Sequence, residues 1–73
     1  MKAETITSCF EDYLEVRGRT HYRQMTKDLI QLKPHIFPHD YTSKKTASIL
    51  SHEITRDPNT RFVRLGGGYY TVR

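Results

Sequence analysis

The stretch that decides the fold is the last one, RFVRLGGGYYTVR, running from Arg61 to Arg73. Two short runs rich in aromatic, β-branched and basic residues flank Gly66, Gly67 and Gly68, which is the pattern of a β-hairpin. Alternation puts Val63 and Leu65 on one face of the first strand and Tyr70 and Val72 on one face of the second. A half-buried ribbon is therefore expected, with Phe62 breaking the alternation and plugging its edge. Glycine reaches positive φ without steric cost, so turn chemistry accounts for at least one of the three. The others let the tip approach another surface closely.

Upstream lies a third helix, expected over about residues 43–55, with Thr42 or Ser43 capping its first amides and a turn at Pro58-Asn59 behind it. At 100° per residue, Ser43, Thr46, Ala47, Glu53 and Ile54 share the side of Leu50. Tyr41, Lys44, Lys45, Ser48, His52 and Thr55 point away, a basic and hydroxylic stripe without an acid. A second helix over about 23–32 places Met25, Leu29 and Leu32 on one stripe. Pro34 and Pro38 end it, because proline lacks the amide donor and disfavours helix before it, and Ile36 and Phe37 become anchors for the loop. A first helix over about 3–16 shows apolar residues at Ala3, Ile6, Cys9, Phe10, Tyr13 and Leu14. Gly18 follows as its C-cap, and RTHYRQ (19–24) reads as a short extended link.

Bulk numbers bound the rest. A chain of 73 residues makes one domain that hides only about 60% of its unfolded surface, leaving little room for a deep cleft. One cysteine, Cys9, excludes an internal disulfide and a multi-cysteine zinc site. No apolar run approaches the roughly 18 residues of a membrane span, and the N-terminal stretch is too acidic and interrupted for a signal peptide. A soluble, intracellular chain is expected. Charge is segregated: residues 1–15 carry one basic against four acidic residues, a balance of −3, and residues 16–73 carry eleven against four, or +7. That asymmetry is the footprint of a polyanion partner.

The order helix, link, helix, loop, helix, strand, glycine turn, strand predicts an α+β fold, a winged helix-turn-helix with a three-helix bundle and a two-stranded wing over residues 61–73. In that architecture the third helix enters the major groove of DNA and the wing lies on the backbone or minor groove. HYRQMTKDLI (21–30) and TASILSHEITRDPNTRFVRLGGGYYTV (46–72) resemble the HARE-HTH domains, winged helices of restriction endonucleases, ASXL-type chromatin proteins and the delta subunit of bacterial RNA polymerase. The resemblance covers roughly residues 3–73 and is most specific in the tail. It implies a module that links transcription, chromatin or restriction machinery to double-stranded DNA, in some cases through modified cytosine. Two features depart from the family pattern. The third helix opens on Ser43-Lys44-Lys45 instead of proline or an acid, and the preceding loop holds Pro34 and Pro38 where glycine is common.

The candidate contacts follow. Ser43, Lys44 and Lys45 stand at an amide-rich helix start that suits phosphate, although exposed lysines also simply solvate a surface. Ser48 and His52 could reach base edges. Arg61, Arg64, Gly67 and Tyr69 belong to the wing, Arg64 foremost, while Tyr69 could equally pack within the sheet. Tyr22, Arg23 and Gln24 open the second helix, which crosses the backbone in a helix-turn-helix. No metal, cofactor or small-molecule substrate is expected. His35 and His39 sit in a proline-broken loop with no further ligand beside them, and the triple glycine lacks the Gly-Lys-Ser/Thr of a phosphate loop. Cys9 falls on the apolar stripe of the first helix, so no catalytic constellation emerges. The second reading is a protein-interaction module in a transcription or chromatin complex, with the acidic face of the first helix meeting a basic partner or another domain of a larger protein.

Overall fold

The computed structural model describes residues 4–73. Its elements in chain order are α1 (Ile6–Arg17), β1 (Thr20–His21), α2 (Tyr22–Leu32), α3 (Ser43–Arg56), β2 (Phe62–Gly66) and β3 (Tyr69–Val72). The fold is α+β: among the described residues, three helices pack on an antiparallel sheet of order β1-β3-β2. This is the winged-helix order.

Local chemistry sets the boundaries. Thr5 caps α1 reciprocally: its hydroxyl accepts from the Ser8 amide at 3.0 Å and the Ser8 hydroxyl accepts from the Thr5 amide at 2.9 Å. The helix therefore begins at Ile6; Ala3, included in the expected range, lies outside the described residues. At the other end Gly18 adopts φ 75° and donates to the Leu14 carbonyl at 2.7 Å, as its reading as a C-cap requires. For α2 the cap is a side chain that propensity rules pass over. His21 Nδ1 accepts from the Arg23 amide at 3.2 Å, so the helix starts at Tyr22. Thr42 caps α3, its hydroxyl accepting from the Lys45 amide at 3.3 Å.

Phe10, Leu14, Met25, Phe37 and Leu50 are essentially inaccessible to water and form one core with Cys9, Tyr13, Leu29, Phe62 and Tyr70. The proline-bracketed loop delivers Phe37 to this core as expected, its ring 5.6 Å from that of Phe10 and edge-on to Tyr41. Truncating an aromatic at such a site costs about 3–5 kcal/mol, a large share of the stability of so small a domain. Helices α2 and α3 meet through a buried hydroxyl pair, Thr26 Oγ1 and Thr46 Oγ1, 2.6 Å apart. Thr26 already donates to the Tyr22 carbonyl, so Thr46 is the donor to Thr26.

Three expectations are corrected. The sheet has three strands instead of the expected two-stranded wing: the extended link after Gly18 contains β1, which pairs Thr20 with Tyr70 and His21 with Tyr69 and leaves β3 in the centre. Phe62, not Val63 and Leu65, turns inward, and it lies opposite Val72 across the ladder. Leu65 is instead 48% exposed. The larger apolar surface of Phe62 wins the buried face, and a bulge between Arg64 and Gly66 absorbs the change of register. Leu32 ends α2 beyond the reach of the core and is 61% exposed.

The glycines are all required by the backbone. Gly67 and Gly68, with φ 62° and 86°, are the two loop residues between the paired Gly66 and Tyr69, which matches the positive φ at both positions of a type I′ turn. Gly66, at φ 92°, sits in the bulge.

Candidate nucleic-acid interface

The outer face of α3 is built as the helical spacing predicts, except that Tyr41, expected on the outward stripe, precedes the helix and packs against the core beside Phe37. Lys44, Lys45, Ser48, His52 and Thr55 are exposed, and Ser43 is half-buried at the first position. Thr46 and Leu50 hold the opposite face in the core. The acid of this helix, Glu53, is half-buried and bonded to Arg56 at 2.8 Å, so it does not oppose the lysines. Among the described residues Lys44 and Lys45 meet no carboxylate. Lys45 Nζ instead lies 5.7 Å from the centroid of the Tyr41 ring, an attraction that directs its stem without neutralising the charge.

Arg64 connects the hairpin to this face. Its Nη2 donates to Ser51 Oγ at 2.6 Å while the residue stays exposed. Ser51 lies within about 60° of Ser48 and 20° of Lys44 around the helix axis, and about 10 Å along it from Lys44. Lys44, Ser48, Ser51 and Arg64 therefore form one continuous edge, with Lys45 and His52 beside it. Among the described residues none of its cations pairs with a carboxylate.

The other candidates divide. Gly67 is exposed at the tip of the turn. Tyr69 pairs with His21 and alternates with the buried Tyr70, so it occupies the face of the sheet opposite to Arg64. Tyr22 packs partly against the core and donates its amide to the Gly68 carbonyl at 3.0 Å, and Arg23 stays exposed beside it. Gln24 is engaged by Asp28 at 2.8 Å. Asp28 also accepts from the Tyr13 hydroxyl, and burial first, then that bond, push the Tyr13 phenol up to about 12.

Arg61 is not available as a wing contact. Its Nη1 donates to Glu11 at 2.9 Å and to Glu15 at 3.3 Å, and Nη2 donates to the Arg73 carbonyl at 3.0 Å. Glu11 first and Glu15 second raise its pKa above the ordinary guanidinium value. The residue is a clamp between α1 and the hairpin, and in closing it occupies two of the acids that made α1 look like a docking face. Glu4 is engaged as well, by Lys33 and His35. Lys33 is the main reason its carboxyl titrates below the usual range.

One contributor to this edge, Ser51, went unread in the sequence. It is half-buried and lies next to the core residue Leu50, and only the register of β2 shows that it meets Arg64. Among the described residues no group of three or more His, Cys, Asp or Glu side chains could hold a metal ion, and no helix is long and apolar enough to cross a membrane. Cys9 is buried, and burial raises its thiol pKa, so it is a packed core residue. No family model matches the chain, and no curated protein or solved structure matches it either.

Proposed function

We propose that this domain binds double-stranded DNA, with the exposed face of α3 in the major groove and Arg64 on the adjoining backbone. The observation that carries the reading is the acid-free edge running from Lys44 through Ser48 and Ser51 to Arg64, in which helix and hairpin contribute to one surface. Lys44 and Lys45 stand where the first amides of α3 and the helix dipole add to their own attraction for phosphate. Ser48 and His52, a turn further on, carry donors and acceptors at the depth of base edges. The activity is binding without catalysis, and the setting is intracellular, in the cytoplasm or nucleoid if the source is bacterial.

The test is fluorescence anisotropy on a duplex at two salt concentrations. If ~3–5 phosphates are neutralised, log K falls against log salt with a slope of about that number. Lys44→Gln with Lys45→Gln weakens binding and flattens the slope by about two. No binding at low salt overturns the reading. The resemblance to HARE-HTH domains adds a narrower proposal, that the parent protein is a restriction enzyme and the domain senses modified cytosine. Equal affinity for methylated and plain duplexes of one sequence refutes that part alone.

A second reading, a protein-interaction module, is favoured by one feature. Between α1 and α2 runs a groove of about 220 Å³ whose walls include Cys9, Tyr13 and Leu29, with Val16 and Leu32 on its rim, 85% and 61% exposed. Val16→Asp with Leu32→Asp separates the two. Under the DNA reading this pair of changes leaves duplex affinity intact.

A further inference from the structure

The hairpin and the start of α2 carry a feature outside the edge proposed for the duplex. His21 and Tyr69 share the outer face of the sheet, and with Arg19 just before β1 and Tyr22 and Arg23 at the start of α2 they form a ladder of cations and rings. The Arg19 guanidinium lies 5.6 Å from the centroid of Tyr69, and Tyr69 meets His21 edge-on at 5.2 Å. His21 stacks on Tyr22 at 4.6 Å, and the Arg23 guanidinium lies 6.0 Å from Tyr22. Both arginines are exposed and meet no carboxylate among the described residues. Tyr69 keeps 43% of its surface in water.

Packing alone explains His21 and Tyr22, which lock the start of α2 to the Gly68 carbonyl. It does not explain two uncompensated guanidinium groups at the ends of the ladder, nor an exposed tyrosine at its Arg19 end. Such surfaces suit a partner that is both anionic and flat. A duplex presents base edges and hides base faces, so exposed rings and guanidinium planes gain most from bases that have left the stack. Position agrees with this. Tyr69 and His21 lie on the opposite face of the sheet from Arg64, with the glycine turn between them. A rigid duplex seated on α3 cannot cover both faces, but a single strand leaving that duplex can round the small tip.

We propose that this ladder binds an unpaired nucleotide of a single-stranded DNA overhang or frayed end next to the duplex, the base stacking at Tyr69 and Arg19 and the flanking phosphates facing Arg19 and Arg23. The proposal rests on the duplex-binding reading for its setting, and the test keeps the two apart. Anisotropy titrations compare a blunt duplex, the same duplex extended by four thymidines on one strand, and an oligothymidine alone. The extended duplex is expected to bind about tenfold tighter than the blunt one. Tyr69→Ser or Arg19→Gln brings that ratio close to one. Lys44→Gln with Lys45→Gln weakens both duplexes and preserves the ratio.

Equal affinity for blunt and extended duplexes, or a ratio unchanged by Tyr69→Ser and by Arg19→Gln, overturns the proposal and leaves the duplex reading standing. If the blunt duplex fails to bind while oligothymidine binds and Tyr69→Ser abolishes it, the duplex reading falls and the stacking site stands. A circular dichroism spectrum of each variant confirms that it folds, and Tyr69→Phe, which keeps the ring, restores the ratio.

Discussion

Gly68→Ala tests the joint on which the hairpin and α2 depend. A Cβ added there falls inside the van der Waals envelope of the His21 ring, with Cδ2 at 3.0 Å, and comes within 3.0 Å of Tyr22 Cε1. The backbone φ of 86° adds a second penalty, about 1–2 kcal/mol for a residue with a side chain. If His21 swings away, its Nδ1 leaves the Arg23 amide, and loss of such a cap costs roughly 0.5–2 kcal/mol. The 3.0 Å bond from the Tyr22 amide to the Gly68 carbonyl is strained too, for about another 0.5–1.5 kcal/mol. Together these give a loss of roughly 2–5 kcal/mol. Gly66→Ala is the control, because it has φ 92° and open space around the added carbon, so only the backbone penalty applies. Urea unfolding followed by circular dichroism reads both. With m near 1 kcal/mol/M for so small a domain, Gly68→Ala lowers the midpoint by at least about 2 M and Gly66→Ala by roughly 1–2 M. Adding His21→Ala to Gly68→Ala removes the obstructing ring and costs less than the two single losses combined. Equal losses at the two glycines, or strict additivity with His21→Ala, refute the view that the tip is docked on the start of α2.

Two further outcomes follow from the ion pairs and the buried phenol. Arg61→Gln releases Glu11 and Glu15 and lowers the urea midpoint, and the deficit shrinks at high salt, where the native pairs are screened; an unchanged midpoint removes the clamp. The Tyr13 phenol has a folded pKa of about 12, above its unfolded value, so its contribution is whole below about pH 10 and is lost as pH rises through about 12. Tyr13→Phe therefore flattens the fall in stability over that alkaline interval, and a profile identical to that of the parent contradicts the assignment.

What the residues announce in advance depends on how local their causes are. The helices were legible because Cys9, Phe10, Tyr13 and Leu14, or Thr46 and Leu50, repeat at helical spacing within a few residues of one another. Gly18 and the proline-bracketed Phe37 were legible for the same reason, each carrying its own backbone constraint. The misreadings are non-local. Thr20 and His21 become a strand only because Tyr69 and Tyr70, about fifty residues later, offer their backbone groups. The inward turn of Phe62 is decided against the core it enters, and the bulge at Leu65 then defeats period-two counting. Arg61 looked like a free wing cation because its acids stand 50 and 46 residues upstream. The exposed stripe of α3 was readable residue by residue, whereas its continuity with Arg64 needed the Ser51 bond.

The most direct measurement of the central claim is an amide chemical-shift titration of the labelled domain with a short duplex at low salt. A shared surface of helix and hairpin predicts that the largest shifts fall together on Lys44, Lys45, Ser48, His52, Arg64 and Gly67, with little change at Val16, Leu29 and Leu32. Shifts confined to the groove between α1 and α2, or none on α3, contradict it.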